Sequence, residues 1–332
     1  MKNTKVLVLG SNAFSGIDFI DLLLEKKCYE VIGISRSPEK KDFFLTYKRH
    51  NSSNYSFHQI DLNRDLDRLA ELIEREKPEY VINFAALVEV GPSWDNPGHW
   101  FQTNAVSVTQ LGKLLTNFSF IKKYVHISTP EVYGSCENKI TEDANLNPST
   151  PYAASKAAGD LSLFTFVKNY KLPMCMVRST NVYGCGQSLF KIVPRVALFI
   201  KLGKKIPLHG GGKAVKSYIH IRDISEGQLS IMHHGKVGEI YHLSPEGEGI
   251  AIRDLIQMIC SKMNVEFKDV VDEVGERLGQ DKAYVIDSSK ARGQLNWAPR
   301  ISLEKGIEEV VEWVGNHFDE MRKEPLEYNH KL

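Results

Sequence analysis

Tyr152 and Lys156 stand four residues apart in the run "YAASK", directly after "NPSTP", a stretch that starts a helix. That spacing puts phenol and ammonium on one helix face. A nearby ammonium favours the phenolate, so the tyrosine is a candidate base near neutral pH. Upstream, "STPEVYGS" (128–135) ends an apolar strand-like run with Ser128 and Thr129, then Pro130, then Glu131. Proline forfeits a ladder hydrogen bond and so marks the strand's end. The carboxylate that follows it is either a solvated strand terminus, half of a salt bridge, or a reactive group facing a cleft.

The elements that must position these residues are readable from periodicity. "KVLVL" (5–9), "YEVIGIS" (29–35), "YSFHQID" (55–61), "YVINFAA" (80–86), "KYVHIST" (123–129) and "PMCMVRS" (173–179) are short apolar runs of the kind found in strands buried on both faces. Helical patterns lie between most of them, as in "LDRLAELIEREK" (66–77) and "TNAVSVTQLGKLLTNF" (103–118). Alternating strand and helix predicts a Rossmann-type α/β fold with a doubly wound parallel sheet. After about residue 180 the chain turns to Gly, Pro and Lys, and "GEIYHLS" (238–244) reads as a strand returning to the sheet. The expected division is therefore 1–179 plus about 218–245 for nucleotide binding, and about 180–217 plus 246–332 for a smaller mixed α/β substrate domain. The substrate belongs in the cleft between them, at the carboxyl ends of the strands.

The first strand opens into Gly10-Ser-Asn-Ala13-Phe-Ser-Gly16 and then a helix. Glycines permit a tight turn, and the helix amino terminus presents free N–H groups to a pyrophosphate. An acidic residue at the end of the second strand would bond the ribose hydroxyls of NAD. Ser35-Arg36-Ser37 stands there instead. A guanidinium flanked by hydroxyls suits a 2′-phosphate, which favours NADP, with NAD as the alternative. Asp61, after the third strand, is a candidate for the adenine amino group or a plain turn aspartate.

With the turn at 10–16, "NFAA" (83–86), "TN" (103–104), "STPEVYG", "YAASK", "VRSTNVYGCGQ" (177–187), "SYIHIRD" (217–223) and "LNWAPRISLEKGI" (295–307) in this order, the chain resembles the extended short-chain dehydrogenase/reductase family, and within it the nucleotide-sugar 4,6-dehydratases. The resemblance implies that Tyr152, primed by Lys156, takes the sugar 4-hydroxyl proton while hydride passes to the nicotinamide, with Thr129 or Ser128 sharing that oxygen. Glu131 would then abstract the carbon-5 proton as water leaves carbon 6, and hydride returns to give a 4-keto-6-deoxy sugar. Glucose-type members resemble Ser-Thr-Asp-Glu at this point, whereas Pro130 here takes the aspartate's place. Either Glu131 handles both proton transfers or another group supplies the acid. The resemblance assigns the cofactor to Gly10, Asn12, Ala13, Phe14, Ser15, Gly16, Ser35, Arg36, Ser37, Asp61, Leu62 and Ala85, besides Tyr152 and Lys156. It assigns the nucleoside-diphosphate sugar to Ser93, Ser128, Asn181, Lys191, Arg195, Lys216 and Arg277. For these basic residues a solvated surface charge is the alternative. It also implies a homodimer pairing two long helices, "NPGHWFQTNAVSVTQLGKLLTNF" and "PYAASKAAGDLSLFTFVKNY". A nucleotide-uronate decarboxylase, a 4-epimerase or 4-reductase, and a non-catalytic cofactor-binding protein remain as alternatives. The first of these needs a cation to read the substrate carboxylate.

Composition narrows the partners. A net charge of +1 over 332 residues gives no electrostatic case for nucleic acid or an anionic membrane. Five scattered cysteines without a CxxC pair suit reduced thiols and no metal site. The longest apolar runs fall short of a membrane span, so a cytoplasmic protein is expected.

Overall fold

The computed structural model describes residues 3–50, 53–135, 139–275 and 285–330. Six strands, β1 (Thr4–Leu9), β2 (Tyr29–Ser35), β3 (Tyr55–Gln59), β4 (Tyr80–Asn83), β5 (Lys123–Ile127) and β6 (Met174–Ser179), form a parallel sheet joined by the strand Ile240–Leu243. Their order is Ile240–Leu243, β6, β5, β4, β1, β2, β3. The reversal of direction between β1 and β4 is where an open sheet of this kind has its crevice. Val6, Leu7, Val8 and Leu9 are each at most 1% exposed, so β1 is covered on both faces, and two apolar clusters fill those faces. Continuous apolar strands are the consequence of that double cover.

Register brings the strand ends together. Leu9 is opposite Ile34 and Asn83, Asn83 is opposite His126, and His126 is opposite Met176. The residues that follow those positions therefore emerge along one edge, and the turn at Gly10, Ser35, and the Ser128–Glu131 segment share it. Gly10 has φ +80°, and a Cβ there would lie 2.5 Å from the Ala85 nitrogen. A Cβ on Gly16 would lie 2.4 Å from the Gly10 carbonyl oxygen. Both positions need glycine for close backbone approach.

The second apolar core gathers the helices Ile192–Lys201, Ile252–Lys262 and Leu303–Asn316. It is joined to the first lobe by Trp313, whose indole N–H donates to the Phe43 carbonyl at 2.9 Å. Asp223 accepts from the amides of Arg300 and Ile301 at 2.9 and 3.1 Å, and its own carbonyl accepts from the Trp297 indole at 2.8 Å. The segment 295–307 is thus anchored to Asp223, at the start of the helix Ile221–His234. Among the described residues no helix is long and apolar enough to cross a membrane.

One expectation changes. The helix foreseen over 103–118 is divided: Pro97–Phe101 is helical, Gln102–Val106 widens into a π-turn, and Ser107–Leu115 is helical again. The cause is Asn104, fully buried and turned inward. Its side-chain carbonyl accepts from the Leu87 amide and its NH2 donates to the Leu87 carbonyl, both at 2.9 Å, and to Ser155 Oγ at 3.0 Å. Widened turns of this type re-aim a residue toward a site.

Behind the strand ends lies a buried charge pair. Arg178 Nη2 meets Asp160 Oδ2 at 2.8 Å with both side chains at most 2% exposed, and Arg178 Nη1 donates to the Tyr133 hydroxyl at 2.6 Å. Removing one partner of such a pair strands the other in an apolar interior. Arg178→Met is expected to lower the unfolding free energy by about 3–5 kcal/mol in urea titration, and adding Asp160→Leu to restore much of it. A loss below 1 kcal/mol for Arg178→Met would contradict this account.

Candidate active site

The helix Pro151–Tyr170 carries the tyrosine–lysine pair. Thr150 caps it by accepting from the Ala153 amide at 3.1 Å, and Pro151 occupies the first turn, where no N–H is needed. Tyr152 is buried, and its backbone N–H donates to Ser93 Oγ at 3.2 Å. Lys156 reaches back to the strand end and donates to the Ile127 carbonyl at 2.8 Å, with His126 Nε2 3.5 Å away. Burial pulls the Lys156 ammonium down to about 8, against the opposing pull of Asp160. Burial also pushes the Tyr152 phenol up, and the Glu131, Glu89 and Asp160 carboxylates add to that, while a hydrogen bond with Thr129 works the other way. The resting group is therefore a phenol, and its lysine is turned to a backbone carbonyl rather than to the hydroxyl.

Glu131 stands on the 3₁₀ turn Pro130–Tyr133 that follows β5. Thr129 caps that turn, its Oγ1 accepting from the Glu131 amide at 3.3 Å. Thr129 also hydrogen-bonds the Tyr152 phenol, and the Glu131 carboxylate acts on the same phenol through its charge. Ser128 does not join them: its hydroxyl is buried and donates to Asp160 Oδ2 at 2.6 Å. The pleat explains this, since neighbouring strand residues face opposite sides.

Nine of the expected cofactor residues line one cavity. Gly10, Asn12, Ala13, Ser35, Arg36, Ser37, Asp61, Leu62 and Ala85 border it, together with Lys40 and Thr103. Phe14, Ser15 and Gly16 form the first turn of the helix Phe14–Glu25, which no side chain caps, so their amides are left for an anion. Asn12 ties this turn to the end of β2, donating to the carbonyls of Ser37 and Pro38 at 3.1 and 2.7 Å. Asp61 Oδ1 accepts from the Asn63 amide at 2.9 Å, so the turn reading holds for that oxygen while the residue still borders the cavity. The close backbone approach at Gly10 and Gly16 and the uncapped amides fit a nicotinamide dinucleotide. Lys40 was not foreseen from the sequence; burial pulls its ammonium down to about 8.

The substrate-side residues divide. Ser93 is fully buried, donating to the Val90 carbonyl at 2.6 Å and accepting from Tyr152, so it supports the tyrosine rather than facing a sugar. The Asn181 amide donates to the Ser217 carbonyl at 3.2 Å. Lys191 Nζ meets Glu89 Oε1 at 2.6 Å across the cleft. Arg195 pairs with Glu327 at 2.9 Å and lies over the Phe199 ring. Lys216 lies in the short strand Val215–Lys216, paired with Ile250–Ala251. Arg277 falls outside the described residues. Asn104 is the positioning residue that sequence reasoning passed over, although "TN" was part of the resemblance: it holds the loop at Leu87 to the catalytic helix at Ser155.

Comparison with known proteins agrees with this geometry. The family model described as GDP-mannose 4,6 dehydratase matches residues 7–310. The dTDP-D-glucose 4,6-dehydratase of Homo sapiens is 30% identical over 324 residues, covering 95% of this chain and 91% of its own. The dTDP-glucose 4,6-dehydratase of Xanthomonas campestris pv. campestris strain B100 is 31% identical over 327 residues, covering 92% of each chain. The structure of DesIV, a dTDP-glucose 4,6-dehydratase from Streptomyces venezuelae with NAD bound, superimposes with a TM-score of 0.86 at 27% identity, over 95% of this chain and 98% of that one. With its nucleotide crevice, its Tyr152–Lys156 helix and a match running nearly end to end, the chain belongs to the GDP-mannose 4,6-dehydratase family of extended short-chain dehydrogenases/reductases.

Proposed function

We propose that this protein dehydrates a nucleoside-diphosphate sugar across carbons 5 and 6, giving the 4-keto-6-deoxy sugar. The observation that carries the reading is Glu131 on the turn capped by Thr129, its charge acting on the Tyr152 phenol that Thr129 hydrogen-bonds. A 4-epimerase needs the tyrosine and the threonine but has no use for a base at carbon 5. A nicotinamide cofactor held at the turn 10–16 and the cavity beside it would supply reversible hydride transfer, from carbon 4 and back to carbon 6. Tyr152 and Thr129 hold the sugar's 4-oxygen, and Tyr152 takes its proton. Lys156 supplies the positive charge that makes the phenolate accessible once its ammonium swings from the Ile127 carbonyl toward the phenol. Glu131 takes the carbon-5 proton, which the neighbouring ketone has acidified. Glu131→Gln keeps the shape and removes the base. It should still bind the sugar and pass hydride at carbon 4, seen as reduced cofactor at 340 nm, while loss of water falls by roughly 10²-fold or more. Full-rate dehydration by this variant, measured by mass spectrometry of the product, would end the proposed role.

For the cofactor, NADP is favoured, although DesIV holds NAD. The support is Arg36 and Lys40 on the cavity wall, with Ser35 and Ser37 flanking the guanidinium. The Gln59 amide donates to the Arg36 carbonyl at 3.0 Å and so fixes that corner. Arg36→Ala should weaken NADP by roughly tenfold or more and leave NAD nearly unchanged. Protein that binds NAD and ignores NADP refutes the preference.

A homodimer is also proposed. Phe101 and Val106 on the segment 97–115 and Leu161 and Tyr170 on the helix Pro151–Tyr170 are large apolar side chains left 39–59% exposed. Light scattering should give twice the 37.6 kDa chain mass, and Leu161→Lys should shift it toward one chain; a monomeric wild type contradicts the pairing.

A further inference from the structure

Glu89 leaves the loop after β4 at the amino end of the short helix Val90–Asp95, beside the turn whose Ser93 holds Tyr152. The helix it starts packs on the helix that carries Tyr152, and its charge acts on the Tyr152 phenol as that of Glu131 does. Lys191 comes from the other lobe, at the start of the helix Ile192–Lys201, and meets Glu89 at 2.6 Å. The Glu89 side chain is only 18% exposed. The second cation on that helix, Arg195, is paired differently: its partner Glu327 is 77% exposed, and such pairs exchange readily with solvent or a ligand. Arg195 can therefore turn to a phosphate, whereas Lys191, itself 40% exposed, has the more enclosed Glu89 carboxylate as its partner. Lys156 is no substitute, because it is buried against the Ile127 carbonyl with Asp160 behind it.

We propose that Glu89 is a specificity-determining residue: by engaging Lys191 beside Tyr152, it withholds the cation that a carboxylate on sugar carbon 6 would require, and so selects a neutral hexose over a hexuronate. A hexuronate placed against Tyr152 would bring its carboxylate toward Glu131 and Glu89 while Lys191 is engaged by Glu89 and Lys156 is held at the Ile127 carbonyl. Repulsion of this kind discriminates as effectively as a new attractive contact. The inference rests on reading the cleft as a nucleotide-sugar site, and it assigns the substrate class within that reading.

The test is binding rather than turnover. UDP, dTDP and GDP are first ranked by calorimetry, and glucose and glucuronate are then compared on the tightest of the three, with oxidised cofactor present. Wild type should bind the glucose form more tightly. Glu89→Gln releases Lys191 and should improve the glucuronate form, relative to glucose, by roughly tenfold or more. Adding Lys191→Met to that variant should abolish the gain. An unchanged ratio in Glu89→Gln, a gain that survives Lys191→Met, or a wild type that prefers glucuronate each overturns the proposal. If Glu89→Gln does not fold, Lys191→Met alone decides: it leaves Glu89 uncompensated and should widen the preference for glucose, and a narrowed preference refutes the inference. A wild type that discriminates the two sugars yet dehydrates no member of a panel of neutral nucleotide hexoses would sink the reaction proposed above and leave this inference standing.

Discussion

The Asp160 carboxylate is where the active site's geometry is fixed. It lies four residues beyond Lys156 and eight beyond Tyr152, on the same face of the helix Pro151–Tyr170. It accepts from Ser128 at the end of β5 and from Arg178 on β6. A helix that packs on a sheet through apolar contacts alone can slide with little penalty, since dispersion is not directional. A buried carboxylate with two assigned donors cannot, because each lost donor strands a charge in the interior. The register of Tyr152 and Lys156 against the strand ends follows from this contact, and so does the reach of Lys156 to the Ile127 carbonyl.

Much of this was legible in the sequence because it depends on local rules. Apolar runs report strands covered on both faces, Gly10 and Gly16 report close backbone approach, and four-residue spacing reports a shared helix face. Ser128 shows where a local rule was available and decisive: the period-2 pleat separates it from Thr129, so only one of the two hydroxyls can face the cleft. The π-turn at Asn104 was not legible. Helical spacing runs through 103–118 without interruption, and the turn widens only because a buried amide must satisfy Leu87 and Ser155, both distant in sequence. The partners of Lys191 and Arg195 were hidden for the same reason. A basic residue on a helix announces its charge, but whether Glu89 or Glu327 meets it depends on how two lobes approach.

Pro130 is better understood from the turn it starts than from the strand it ends. At the first position of the Pro130–Tyr133 turn an N–H would have no partner, so proline loses nothing there, and its fixed φ sets the direction of Glu131. Thr129 accepts from the Glu131 amide and completes the cap. The segment that lacks a second carboxylate is therefore one that fixes the backbone carrying its remaining carboxylate.

Whether one carboxylate is enough can be decided by counting protons in the proposed reaction. Two are released, one from the 4-hydroxyl to Tyr152 and one from carbon 5 to Glu131. Two are consumed, one by the departing 6-hydroxyl as it becomes water and one by carbon 5 as hydride arrives at carbon 6. The two groups that gain protons thus hold as many as the later steps require, whichever of them serves each acceptor. A third acid is not demanded by stoichiometry. It is replaced by a geometric demand, that Glu131 and Tyr152 both reach the carbon 5–carbon 6 edge of the sugar. The two groups that must meet it stand on elements in contact, the capped turn at 130–133 and the helix that begins at 151.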